Sequence, residues 1–175
     1  MRTLQPTFHP GFTLIELLVV IAIIGALAGI VYPISQSVIG KSREASCLNN
    51  LRSLGVGLQT YIQEHNDHLP TLAAGRKSKT EDIPVLETAL LSYFESPEAF
   101  KCPADRKLYE ASGSSYLWNS TQSGLLVSEL AFFGIKDRPD KIPLITDKEA
   151  WHMDKVNFLY ADLSSANKQR FVAGN

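Results

Sequence analysis

Apolar residues are concentrated at one end of the chain. From Leu17 to Gly40 the sequence contains no charged residue, and most of its side chains are apolar. As a helix rising ~1.5 Å per residue, this stretch is about 36 Å long, whereas the hydrocarbon core of a bilayer is ~30 Å thick. We therefore predict a membrane-spanning helix near the N-terminus.

A periodic pattern of apolar and polar residues follows the apolar stretch. Apolar side chains recur at three- and four-residue spacing between Ala45 and Ile62, with polar side chains on the other faces. This periodicity is typical of an amphipathic helix. We predict one long helix from about Phe12 to about Glu64, bent or interrupted near Pro33. Three glycines are expected to loosen it: Gly40, Gly55 and Gly57.

The remaining residues predict a small head of mixed structure. A short helix is expected between Ile83 and Phe94, where apolar residues keep a helical spacing. Residues 124–134 fit a helix or a strand. The expected fold class is α+β, with an antiparallel sheet of three or four strands. The segments predicted as strands are 115–119, 141–146, 156–161 and 169–172.

Composition and charge narrow the classes of function. The chain has 175 residues, enough for one domain, and its 17 Lys and Arg against 18 Asp and Glu give a formal net charge of −1. Binding several phosphates requires a surplus of basic side chains, so we expect no nucleic-acid partner. The sequence contains no nucleophile elbow, phosphate-binding loop or zinc-ligand spacing. An enzymatic function is therefore not expected.

One carboxylate, Glu16, lies near the start of the apolar stretch. A carboxylate close to hydrocarbon costs at least ~2.5 kcal/mol, so an acid at this place predicts a function and a cationic partner. The segment from Gly11 to Gly25 closely resembles the prepilin N-terminus of type IV pilins and type II secretion pseudopilins. The resemblance implies a pilin-like fold, in which the amphipathic half of a long N-terminal helix packs on a small antiparallel sheet.

The same resemblance implies how the N-terminus is processed. A prepilin peptidase would cut between Gly11 and Phe12 and methylate the new amino group of Phe12. In a filament, Glu16 would pair with the Phe12 amine of a neighbouring subunit, and Pro33 would kink the helix. The implied parts of the chain are a cleaved leader (1–11), a transmembrane and filament-core helix (12–40) and a periplasmic or extracellular head (41–175).

The resemblance also implies a location and partners. The protein would cross the bacterial inner membrane once, with its head in the periplasm, as a structural subunit of a type II secretion pseudopilus that drives protein export. Its partners would be prepilin peptidase, copies of itself and other pseudopilins, the inner membrane, and an inner-membrane assembly platform with a cytoplasmic ATPase.

Two alternatives stay open. One is an uncleaved signal anchor in which Glu16 is incidental. The other is a pilin of a surface type IV pilus for adhesion, motility or DNA uptake. Five basic residues are candidates for a binding patch in that second case: Lys77, Lys79, Lys101, Arg106 and Lys107.

The head contains two cysteines, Cys47 and Cys102. Because the resemblance places the head in an oxidising compartment, we expect a disulfide between them, with two separate buried thiols as the alternative. The segment from Cys102 to Asp105, Cys-Pro-x-Asp, resembles a group of prepilin-type proteins that carry an H-x9-DG motif.

His152 and Asp162 match part of that H-x9-DG motif, with Leu163 in place of its glycine. Asp147 and Asp162 are candidate oxygen ligands for calcium, as in the loops of the major pseudopilins that the chain resembles. The alternative is that Asp162 and His152 cap turns by local hydrogen bonds. We expect no other cofactor.

Overall fold

The computed structural model describes residues 13–152 and 154–171, so Gly11 and Phe12 lie outside the described residues. Two compact units divide the chain, one ending at Ile39 and the other beginning at Gly40. The first unit is helical, and the second contains the rest of that helix together with the described strands. The predicted α+β class, with a long N-terminal helix and a small antiparallel sheet, is confirmed.

Helix α1 extends from Leu14 to Glu64, within two residues of its predicted bounds. Its backbone stays helical through residue 33, so the helix is not interrupted there. A bend at Pro33 stays a prediction.

Short elements follow α1 in the head. Helix α2 (Leu86–Leu90) continues into one 3₁₀ turn (Leu91–Tyr93), so the second helix is shorter than predicted. Helix α3 (Leu108–Ser112) lies where the sequence pattern predicts no element. The strands are β1 (Tyr116–Trp118), β2 (Ala131–Phe132), β3 (Ile135–Lys136), β4 (Pro143–Asp147), β5 (Phe158–Tyr160) and β6 (Ser165–Ala166).

Four strands form one antiparallel sheet in the order β1-β4-β5-β6, and β2 and β3 form a separate antiparallel pair. Strand β4 is paired on both sides. Its Asp147 lies opposite Tyr116 of β1, and its Thr146 lies opposite Phe158 of β5. Three of the predicted strand segments therefore coincide with β1, β4 and β5.

The predicted last strand is misplaced. Residues 169–171 are not in a strand, and β6 instead ends the sheet, with Ser165 opposite Leu159. Phe171 accounts for the misleading pattern, because its ring packs against that of Phe158 at a centroid distance of 5.6 Å. The ambiguous residues 124–134 contain a 3₁₀ turn (Val127–Glu129) and strand β2.

The core of the head lies between α1 and the sheet. One face of α1 buries side chains at positions i, i+4, i+7 and i+11, the spacing that keeps residues on one side of a helix. They are Cys47, Leu51, Leu54 and Leu58, each 0% exposed. They share one apolar cluster with Leu144, Ile145 and Leu159 of the sheet.

Two glycines of α1 allow close packing rather than loosening the helix. A Cβ atom at Gly55 would lie 3.1 Å from a methyl carbon of Leu159, and one at Gly57 would lie 2.6 Å from the ring of Phe94. The second distance is shorter than van der Waals contact allows. The helix stays continuous at both positions, and neighbouring residues occupy the space that a side chain would fill.

Candidate functional site

Glu16 lies in the first turn of α1 and closes a capping box with Thr13. Its Oε2 atom accepts hydrogen bonds from the backbone N–H of Thr13 at 2.8 Å and from the Thr13 hydroxyl at 2.7 Å. The N–H of Glu16 in turn donates to the Thr13 hydroxyl oxygen at 3.3 Å. This Thr-x-x-Glu spacing is a known N-terminal signature of helices, and it was available in the sequence.

The first unit of the chain exposes its apolar side chains. Leu14 is 81% exposed and Ile30 is 64% exposed, and the helix is long and apolar enough to cross a membrane by length and composition. None of its most apolar window is buried within the described residues. An apolar surface of this extent indicates a lipid or protein environment.

In the head, Cys47 and Cys102 are joined by a disulfide. Their Cα atoms lie 5.0 Å apart, and 55 positions of sequence separate them. The bond links α1 to the loop before α3, and the N–H of Cys102 also donates to the hydroxyl of Ser115 at 2.9 Å. Both cysteines are fully buried.

His152 and Asp147 lie directly beside this disulfide. The Nε2 atom of His152 is 3.3 Å from the Sγ atom of Cys102 and 3.8 Å from Oδ2 of Asp147. Burial raises the pKa of Asp147 to about 7, although a hydrogen bond from the N–H of Asn157 favours its ionised form. Burial also lowers the pKa of His152, against the attraction of Glu44. No spacing in the sequence brings His152 together with the cysteines.

Asp162 lies elsewhere, at the other end of β5. Its Oδ1 atom accepts the N–H of Ser164 at 2.9 Å, so it caps the turn that leads into β6. Asp147 instead pairs with Asn157, which precedes β5, whereas Asp162 follows the strand. Calcium ligands lie ~2.3–2.6 Å from the ion, so these two carboxylates do not share one calcium site.

The turn also explains why the H-x9-DG motif has a glycine at the position that Leu163 occupies here. Its φ is 63°, in the left-handed region that glycine adopts without steric cost. A leucine there retains the turn at a cost of roughly 1 kcal/mol. The backbone at Leu163 thus has the left-handed conformation that a glycine at this position would favour.

The five basic candidates do not form one patch. Lys79 and Lys101 both approach the ring of Tyr109, at 5.4 and 4.9 Å. Both also lie near acidic side chains: Lys101 is 3.2 Å from Glu110 and 3.9 Å from Glu98, and Lys79 is 4.0 Å from Glu110. The other three lie in two different pockets: Lys77 in one, Arg106 and Lys107 in the other.

Comparison with known proteins gives one family match and two curated relatives. Residues 9–32 match the family model described as the prokaryotic N-terminal methylation motif. The chain is 34% identical over 95 residues to "Type II secretion system core protein G" of Escherichia coli (strain K12), covering 54% of this chain and 64% of that protein. It is 34% identical over 76 residues to "Fimbrial protein" of Moraxella nonliquefaciens, covering 43% of this chain and 47% of that protein. No solved structure gives a significant match.

The chain thus spans less than two thirds of the length of these relatives. A capped, exposed apolar helix with a methylation motif at its start, followed by a small α+β head, fits a membrane-anchored protein of the prepilin type. By this motif and these two relatives the chain is similar to type IV pilins and type II secretion pseudopilins.

Proposed function

We propose that this protein is a structural subunit of a type II secretion pseudopilus, processed between Gly11 and Phe12 and assembled into a filament that drives protein export. The match to the type II secretion core protein supports this most directly, because its 95 residues extend well beyond the motif at residues 9–32. The proposed role is structural rather than enzymatic.

In this proposal the exposed apolar part of α1 is buried in two successive environments. Before assembly it anchors the subunit in the inner membrane, with the head in the periplasm. During assembly a platform with a cytoplasmic ATPase moves subunits from the membrane, and the same apolar surface packs against helices of neighbouring subunits. Both environments exclude water from side chains such as Leu14 and Ile30, which the isolated chain leaves exposed.

Glu16 then controls how subunits align. Its carboxylate receives two hydrogen bonds from Thr13, whereas an ionised carboxylate has about four acceptor positions. The free acceptor positions suit the methylated Phe12 amine of the adjacent subunit. Pairing the two charges in register removes a cost of at least ~2.5 kcal/mol for a lone carboxylate near hydrocarbon.

Three variants separate charge pairing from helix capping. Glu16→Gln removes the charge and keeps a side chain that completes a capping box. Thr13→Ala removes the hydroxyl of the box and keeps the charge, and Glu16→Ala removes both functions of Glu16. We expect no filaments from either Glu16 variant and normal filaments from Thr13→Ala, measured by shearing and electron microscopy in the native host.

Normal filaments from Glu16→Gln would contradict the pairing. Circular dichroism of each variant in detergent controls for the fold of the head, which is expected to be unchanged. Intact mass and N-terminal sequencing test the processing separately. A chain beginning at N-methylated Phe12 is expected, and a chain that keeps Met1 in the native host would identify an uncleaved anchor.

The match to a fimbrial protein supports a second candidate, a type IV pilin of a surface pilus. The acidic side chains beside Lys79 and Lys101 weaken the attraction of this pair for the phosphates of DNA, which argues against DNA capture there. Filament location distinguishes the two candidates. Loss of an exported protein on deletion of the gene supports the pseudopilus, and long surface filaments with normal export support the pilus.

A further inference from the structure

The buried groups around the disulfide form a compact cluster of metal-binding atoms. The two sulfurs of Cys47 and Cys102 and a ring nitrogen of His152 all lie within 4.8 Å of one another. Asp147 adds a carboxylate 3.8 Å from that nitrogen, and the side chains of His152 and Asp147 are 1% and 0% exposed. Three donor atoms of the types that bind zinc therefore converge inside the head, and Asp147 offers a fourth beside His152.

A second observation points to a missing ligand. Oδ1 of Asp147 is buried and has no hydrogen-bond partner among the described residues, and neither polar atom of the Asn157 side chain has one. Buried polar atoms are almost always paired, because leaving one unpaired costs about 1–3 kcal/mol. A cation bound by Asp147 would satisfy this carboxylate.

We propose that the reduced head binds one zinc-class divalent ion through Cys47, Cys102, His152 and Asp147, and that the disulfide replaces this ion on oxidation. A dithiol reductant supplies two electrons and two protons to the disulfide and is itself converted to a disulfide. The two thiols formed on Cys47 and Cys102 lose their protons to solvent when the metal binds. In the reverse direction a disulfide oxidant accepts two electrons and is reduced to two thiols, while Cys47 and Cys102 form their bond and release the ion.

The distances fit tetrahedral coordination. With Zn–S of ~2.3 Å and Zn–N or Zn–O of ~2.0–2.1 Å, the donor atoms of a tetrahedral site lie about 3.3–3.8 Å apart. The His152 nitrogen lies 3.3 Å from the Cys102 sulfur and 3.8 Å from the Asp147 oxygen. Breaking the S–S bond lets the two sulfurs separate, and the Asp147 carboxylate must also turn toward them to complete the site. The metal would keep α1 linked to the loop before α3.

The donor types also select the ion. Thiolate and imidazole favour zinc over calcium or magnesium, which prefer oxygen ligands. Cobalt(II) enters such sites with the same geometry and reports its ligands by absorption. The proposal does not depend on filament assembly.

The test uses the full chain in detergent micelles, reduced with dithiothreitol and desalted without oxygen. Titration with Co²⁺ is expected to give a thiolate-to-cobalt charge-transfer band and the intense visible bands of tetrahedral cobalt, saturating at about one ion per chain. Zn²⁺ should abolish both. The oxidised chain should give neither, because a disulfide offers no thiolate. Reduced protein that gives no charge-transfer band would overturn the proposal.

Variants identify the ligands. His152→Ala should weaken Co²⁺ binding at least ~100-fold, whereas His65→Ala, which changes an exposed histidine, should bind as the wild type does. Asp147→Asn should weaken binding by ~10–100-fold while keeping the charge-transfer band. Equal losses in the two alanine variants would refute the site.

His152→Cys keeps the experiment decisive if His152→Ala does not fold. A third thiolate replaces the imidazole, so the reduced variant should retain tetrahedral cobalt with a stronger charge-transfer band. A reduced His152→Cys chain without that band would also overturn the proposal.

Discussion

Replacing Asp105 by alanine removes a buried carboxylate that holds the loop carrying the second cysteine. Its Oδ1 atom accepts the N–H groups of Lys107 at 2.9 Å and Leu108 at 2.8 Å. Its Oδ2 atom accepts the N–H of Tyr109 at 2.8 Å and the hydroxyl of Ser115 at 2.7 Å. Asp105 therefore caps the start of α3 and also fixes Ser115. This is the structural role of the aspartate in the Cys-Pro-x-Asp segment.

The loss of stability has two parts. Removing a capping side chain costs ~0.5–2 kcal/mol, and leaving the buried hydroxyl of Ser115 without its acceptor costs about 1–3 kcal/mol. Since the groups share one network, these contributions are not fully additive. We expect Asp105→Ala to lower the free energy of unfolding by about 2–4 kcal/mol at pH 7.

The effect of Asp105 should also depend on pH. Burial disfavours its ionised form, but the hydrogen bonds from Ser115 and three backbone N–H groups outweigh this and hold the pKa of Asp105 below its ordinary value of 3.8. A carboxyl whose pKa is lower in the folded state stabilises the fold above the unfolded pKa, and this contribution is lost as pH falls through the folded pKa. The difference between wild type and Asp105→Asn should therefore shrink below about pH 3.8.

Urea unfolding of the oxidised full chain in detergent, followed by the fluorescence of buried Trp118, measures both effects. Asp82→Ala is the matched control, because Asp82 is exposed. A change within about ±0.5 kcal/mol for Asp105→Ala, the range of ordinary surface substitutions, would refute the reasoning. A difference between wild type and Asp105→Asn that stays constant from pH 7 to acid would refute the electrostatic part.

Two further predictions concern the packing of α1. Replacing Cys47 and Cys102 together by serine should lower the free energy of unfolding by about 4 kcal/mol, because the disulfide closes a loop across 55 positions. Denaturant unfolding measures this free energy. Wild type that is reduced in the absence of metal should lose a similar free energy of unfolding. Equal stability with and without reductant would contradict the prediction. Gly57→Ala should cost ~1–3 kcal/mol, since the added methyl would lie 2.6 Å from the ring of Phe94. Gly40→Ala, with nothing within 4 Å, should instead gain up to ~1 kcal/mol from helix propensity. Thermal unfolding compares the two, and shifts of the same sign would be inconsistent with this explanation.

Elements with a strong local pattern were predictable. Helix α1 is apolar and then amphipathic over its whole length, so its bounds follow from periodicity. Strands β4 and β5 carry buried apolar runs and were predicted within a few residues. The last strand was placed wrongly because Phe171 is apolar for aromatic packing, whereas Ser165 and Ala166 pair through their backbone and carry no apolar pattern.

The glycines of α1 show why some positions are misread from sequence. A glycine within a helix lowers intrinsic stability, so Gly55 and Gly57 suggested a looser helix. Their actual neighbours, Leu159 and Phe94, come from distant parts of the chain. Only knowledge of those contacts shows that the missing side chain is a packing requirement.

The sequence by itself determined the long apolar N-terminal helix, its methylation motif and the α+β class, because these depend on neighbouring residues and on their spacing along one helix or strand. The tertiary structure decided that Asp162 caps a turn while Asp147 lies beside Cys47, Cys102 and His152. Those four residues come from α1, the loop before α3, the end of β4 and the loop before β5. They meet only because α1 packs on the sheet in one register, and no short-range pattern encodes that contact.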